Sequence, residues 1–82
     1  MLAAAAGRFT EAIAHLEAAL ARHRQMGARP WTALTEEAYG HVLSVRGQAA
    51  DVGQAARLTE SAMRAAEELG LAAITTRIRL RG

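Results

Sequence analysis

The sequence predicts an all-α fold built from antiparallel helix pairs. Three observations predict it. Alanine supplies 21 of the 82 residues, and the larger apolar types together supply another 21. That composition favours helix strongly but offers little apolar area per residue. Apolar residues recur at spacings of three and four in long segments, and these segments stop at Gly27, Gly47 and Gly70. Displaced by 43 residues, the chain matches itself. Phe9 meets Val52, Ala12 meets Ala55, Ala19 meets Ala62, Leu20 meets Met63, Met26 meets Leu69, and Gly27 meets Gly70. A period of that length covers one helix pair with its loops and points to a stacked helical array.

The first long helix is expected from Thr10, a suitable N-cap, to Met26. Phe9, Ile13, Leu16 and Leu20 form its apolar face, with Ala12 and Ala19 beside them. Arg22, His23 and Arg24 suit its C-terminal end, and Gly27 ends it.

Pro30 opens the second helix, where its missing N–H has no intrahelical partner to lose. Trp31, Leu34, Ala38, Val42 and Val45 give its expected buried stripe, widened by Tyr39 and Leu43. Ala33, Glu37, Gly40 and Ser44 fall on the opposite side. So short a connection makes the two helices an αα-hairpin. Asp51 and Gln54 have the spacing of a capping box and start the third helix. Its stripe is Val52, Ala55, Leu58, Ala62, Ala66 and Leu69, with Met63 beside it and Glu60–Arg64 as an i,i+4 pair. The tail from Leu71 to Gly82 has helical spacing at Leu71, Ile74 and Ile78, but Ile74 to Arg81 also alternates as a strand would. With no second strand to pair, helix is the expectation.

Composition excludes several classes. There is no cysteine, hence no disulfide framework, thiolate metal site or cysteine nucleophile. No apolar run reaches the roughly 20 residues of a membrane span, so the chain reads as soluble and cytoplasmic. The ten basic residues are all arginine and are scattered, giving a net charge of only +2. Nucleic-acid binders carry a basic stripe; binding through the scattered arginines and the Arg77, Arg79, Arg81 tail is the alternative reading. Glu11–His15 and Glu37–His41 have metal-ligand spacing, but each is an isolated pair and reads as a solvated partnership. Glu36 and Glu37 are adjacent, about 100° apart on a helix, and do not converge on one substrate. No serine stands in a nucleophile motif and no glycine cluster makes a phosphate loop. Neither catalysis nor a cofactor is expected. With few aromatics and an alanine-filled interior, a large small-molecule pocket is not expected either. Trp31 reads two ways, as a staple packed under Met26 or as an exposed anchor for a partner. Arg22, Arg24 and Arg29 read as complement to the helix dipole or as a seat for an anion.

The stretch Gly7-Arg-Phe9-Thr-Glu-Ala12-Ile13-Ala-His-Leu16-Glu-Ala-Ala19-Leu20 resembles the second half of a tetratricopeptide repeat, and Tyr39-Gly40 with Leu43 resembles the first helix of the next. Gly40 would then be the small residue that permits close helix approach. Met26-Gly-Ala-Arg-Pro-Trp31 is similar to repeats near the C-terminal end of large LuxR-type, ATP-binding bacterial regulators. There are departures: Glu36 stands at the usual tryptophan position, Arg24 at the usual proline, and the period of 43 exceeds the family's 34. The resemblance implies a helical array of about two repeats, a fragment or terminal part of a longer one, with a free end covered by self-association. It implies a protein–protein interaction or assembly module of a signalling or transcription regulator, with a protein partner or a homodimer. The family's ligand-facing surface would fall on Glu37, His41 and Ser44, which otherwise form an ordinary wet face.

Overall fold

The computed structural model describes residues 2–81 as four helices: α1 (Leu2–Met26), α2 (Arg29–Arg46), α3 (Asp51–Leu69) and α4 (Ala72–Arg81). No strand occurs among the described residues, so the alternation in the tail does not make one. The chain is all-α. Helix α2 lies in the middle. Helices α1, α3 and α4 all pack against it, α4 also packs on α3, and among the described residues the backbone of α1 stays more than 8 Å, Cα to Cα, from those of α3 and α4.

The first helix is longer than expected. It runs unbroken through Gly7, and Thr10 lies inside it rather than at its cap. The reason is energetic. An interior glycine costs only about 1 kcal/mol, too little to stop a helix entered from four consecutive alanines. At Gly27 and Gly70 the backbone does turn, at φ 67° and 71°. This left-handed region is open to glycine without a Cβ clash.

These two turns share their exit hydrogen bonds. Ala28 N donates to the His23 carbonyl at 3.0 Å, and Leu71 N to the Ala66 carbonyl at 2.8 Å. Arg29 N donates to the Gly27 carbonyl at 3.0 Å, and Ala72 N to the Gly70 carbonyl at 3.1 Å. These donors and acceptors correspond at the 43-residue displacement, while the glycine N–H groups differ: Gly27 N donates to the Arg24 carbonyl and Gly70 N to the Ala66 carbonyl. The α1–α2 and α3–α4 connections therefore repeat in their exit hydrogen bonds as well as in their glycines.

Two apolar clusters fill the interior. Ile13 and Leu20 of α1, Tyr39 and Leu43 of α2, and Ala55 and Leu58 of α3 make the first. Ala33 of α2, Ala66 of α3 and Ile74 of α4 make the second, with Leu34, Ala65, Leu71 and Ile78 packed against it. At Gly40 the α2 backbone meets α3 so closely that an added Cβ would lie 2.9 Å from Thr59 Oγ1 and 3.3 Å from the Ala55 carbonyl.

The buried face of α2 is the expected one only in part: Tyr39 and Leu43 are buried, and Leu34, Ala38 and Val42 half-buried. Trp31 is 58% exposed and Val45 59%, while Ala33, Glu36, Glu37 and Gly40 are buried. Packing on several sides of α2 buries Glu36 and Glu37 beside arginines of other helices, so hydrophobicity alone does not phase it. In α3, Ala55, Leu58, Ala62 and Ala66 are buried as expected, but Val52 and Leu69 are exposed. Asp51 is not a capping residue. The N-cap is Ala50, without a side-chain cap. The Asp51 carboxylate instead receives Arg46 Nε at 2.7 Å and Arg46 Nη2 at 2.6 Å.

The chain forms a slab of 40 × 29 × 19 Å with a radius of gyration of 12.9 Å. A compact chain of this length would have a radius of about 12 Å.

Candidate functional site

The adjacent acids of α2 organise the polar part of the molecule. They diverge, as their spacing requires, and each is buried against different helices. Glu37, 2% exposed, faces α4. Arg81 Nη2 donates to its Oε1, and Arg77 Nε lies 3.7 Å from the same oxygen. Glu36, 4% exposed, faces the gap between α1 and α3. Arg24 Nη2 of α1 donates to its Oε2 at 3.2 Å, and Ser61 Oγ of α3 donates to the same atom at 2.8 Å.

One turn further along α2, Tyr39 makes a second bridge. Its hydroxyl lies 3.2 Å from Glu17 Oε1 of α1 and accepts from Gln54 Nε2 of α3, also at 3.2 Å. Burial first, and then the neighbouring Glu17 carboxylate, push this phenol above its ordinary value. Between the two bridges runs an open trough of about 550 Å³, floored by Glu36 and Tyr39 and walled by Glu17, Leu20 and Arg24 on one side and Gln54, Arg57 and Ser61 on the other. The backbones of α1 and α3 stay apart, and Glu36 and Tyr39 tie the two helices together through α2.

The expected surface strip is not brought together. Glu37 is covered by α4, whereas His41 is exposed and Ser44 is exposed beside Val52, Ala56 and Thr59 in a separate shallow groove. The cause is the pair of arginines from α4. They allow a carboxylate to be buried where sequence pattern reads a wet face. Trp31 is exposed. Its ring stacks on His23 of α1, centroids 6.3 Å apart and planes 27° from parallel, rather than packing into the interior. The Arg22, Arg24, Arg29 cluster divides. Arg24 goes to Glu36, Arg29 Nη2 donates to Glu68 Oε2 at 2.6 Å, and Arg22 is exposed. Glu60 and Arg64 are not within ion-pair distance of each other, although both border the groove that reaches Ile78.

Glu36, Ser61, Gln54 and Arg57 were not candidates on sequence grounds. One signal lay in the resemblance, which would put Glu36 at the pattern's tryptophan position. Among the described residues no group of three His, Cys, Asp or Glu side chains is arranged to hold a metal, and no helix is long and apolar enough to cross a membrane. No protein-family model, curated protein or solved structure matches the chain.

Proposed function

We propose that this chain is a protein–protein interaction and assembly module that acts by presenting rigid helix faces, and that one of its partners is a second copy of itself. Binding, not catalysis, is the activity. The resemblance to tetratricopeptide arrays of bacterial signalling or transcription regulators suggests the setting in which such a module would work.

One observation carries the reading: Trp31, the chain's sole tryptophan, stands 58% exposed on the shoulder of the α1–α2 turn, with Met26, 76% exposed, at the other end of that turn. Large aromatic rings are the side chains that contribute most to protein interfaces when a partner covers them. The total surface of 5471 Å² supports it. A sealed globular monomer of 8.7 kDa would expose roughly 4700 Å².

The nucleic-acid alternative receives less support, because Arg77 and Arg81 are turned onto Glu37 and leave Arg79 as the tail arginine without an acidic partner.

Trp31 also reports on the reading. As concentration rises, light scattering should record a mass above one chain while the tryptophan emission moves to shorter wavelength. Trp31→Ala should move the rise in mass to higher concentration. Emission that stays that of an exposed indole, with a single-chain mass at the highest concentration attainable, would remove self-association from the proposal.

A further inference from the structure

Helix α4 meets the α2–α3 face with a single ridge. Ile74, Arg77, Ile78 and Arg81 stand at i, i+3, i+4 and i+7. Ile74 is buried against Ala33 and Ala66, Ile78 packs beside it, and the two arginines converge on Glu37. Since Ile74 sits by Ala33 and Arg81 reaches Glu37, α4 runs in the same sense as α2. The seat makes a strict demand. A carboxylate 2% exposed must be met by a guanidinium, and both guanidiniums that meet it come from this one helix.

The strap that meets the demand is weakly tethered. At ten residues α4 is below the length at which a helix is stable alone, so it is helical by virtue of its seat. Only Ile74 of its side chains is fully buried. Two residues, Gly70 and Leu71, join it to α3. Gly70 holds φ 71°, and nothing lies within 4 Å of where its Cβ would be. Gly70 itself is therefore unconfined, although Leu71 beside it packs against the Ala33, Ala66 and Ile74 cluster. Returning Gly70 to helical φ would run α3 straight into α4 and carry the strap away from its own seat. Short hinges of this kind favour exchange between copies.

We propose that the seat on α2 and α3 takes the α4 helix of a second copy, so that two chains assemble by exchanging their C-terminal helices. The occupant is a second copy because α4 already matches the seat in ridge, length and charge. Exchange in trans remakes every contact that it breaks in cis, and costs only the turn at the hinge. This rests on the self-association reading and supplies its geometry: each seat is completed by arginines from the other chain.

Two measurements test it, both in chains carrying Trp31→Ala so that the tryptophan contact cannot contribute. In the first, Gly70→Ala disfavours the left-handed turn. Light scattering should show the two-chain species favoured by at least about tenfold, with helicity retained. A single-chain mass at all concentrations, accompanied only by a lower melting temperature, would overturn the exchange. In the second, a chain with Glu37→Arg is mixed with one carrying Arg77→Glu and Arg81→Glu. Each lacks an attractive seat of its own, and together they have two in trans. A two-chain species formed only on mixing supports exchange. Its absence, while a chain bearing all three changes folds as a monomer, counts against it. Concentration-dependent dimers of the native chain that vanish with Trp31→Ala, in the face of both failures, would leave the assembly reading standing and remove the exchange alone.

Discussion

Single residues decide how closely these helices meet. Gly40 and Gly53 are both helical glycines, but their surroundings differ. A methyl at Gly40 would press on the fixed Ala55 carbonyl of α3 as well as on the Thr59 hydroxyl, whereas one at Gly53 meets only the flexible end of Arg57 at 3.5 Å. Overpacking at the first site outweighs the gain in helix propensity, so Gly40→Ala should destabilise by about 1 kcal/mol. Gly53→Ala should stabilise by about 0.5 kcal/mol. Denaturant melts of the two variants should move the midpoint in opposite directions. The closeness of Gly40 was legible in sequence, through the resemblance. The role of Asp51 was not, since capping and ion pairing look alike on paper. The hydrogen bonds from Arg46 hold the Asp51 carboxyl below its ordinary value, against the opposing pull of burial. A carboxyl lowered in the folded chain adds stability above its unfolded pKa of about 3.9 and loses it as pH falls through the folded value. Asp51→Asn should therefore melt below the native chain at neutral pH, and the gap should close under acid. A gap that does not change with pH would assign the loss to something other than this ion pair.

At the scale of elements, the helices themselves were readable and their faces less so. Glycines at 27, 47 and 70 and the proline at 30 set the ends of α1, α2 and α3 at or close to the expected places. The phase of α2 was not readable, because the residues that neutralise its buried acids are 12 and 44 positions away in sequence. No local pattern carries that information. The same long-range pairing settles the tail as helix, where alternation alone left two choices. It also ranks the ion pairs. Arg29 and Glu68 are each more than half exposed, so Glu68→Gln should change stability by less than about 1 kcal/mol. Replacing Arg77 and Arg81 together with alanine strands Glu37 under an apolar strap. The expected response is release of α4, seen as rapid amide exchange from Ala72 to Arg81 and a loss of roughly 3 kcal/mol. Protection of that helix equal to the native chain's would show that the Leu71, Ile74 and Ile78 contacts suffice to hold it.

For the molecule as a whole, the order of contacts predicts an order of opening. Helix α2 packs on every other helix, and the backbone of α1 comes close to that of α2 alone. Native-state hydrogen exchange should therefore find α1 opening before the α2–α3 pair, whose amides should be the last to exchange. Equal protection in all three would mean that the slab opens only as one body. The all-α class and its closely packed helix pairs were legible in sequence. What lay beyond sequence is the trough between α1 and α3. It exists because two helices whose backbones stay apart are held by Glu36 and Tyr39 of a third.

The matched turns at Gly27 and Gly70 carry one more implication. A block that closes on the same exit geometry with which it opened can be concatenated. Splicing an additional copy of residues 28–70 after Gly70 would present each junction with atoms it already accommodates. The lengthened polypeptide should gain two helices, and its melting enthalpy should grow in proportion to the added residues.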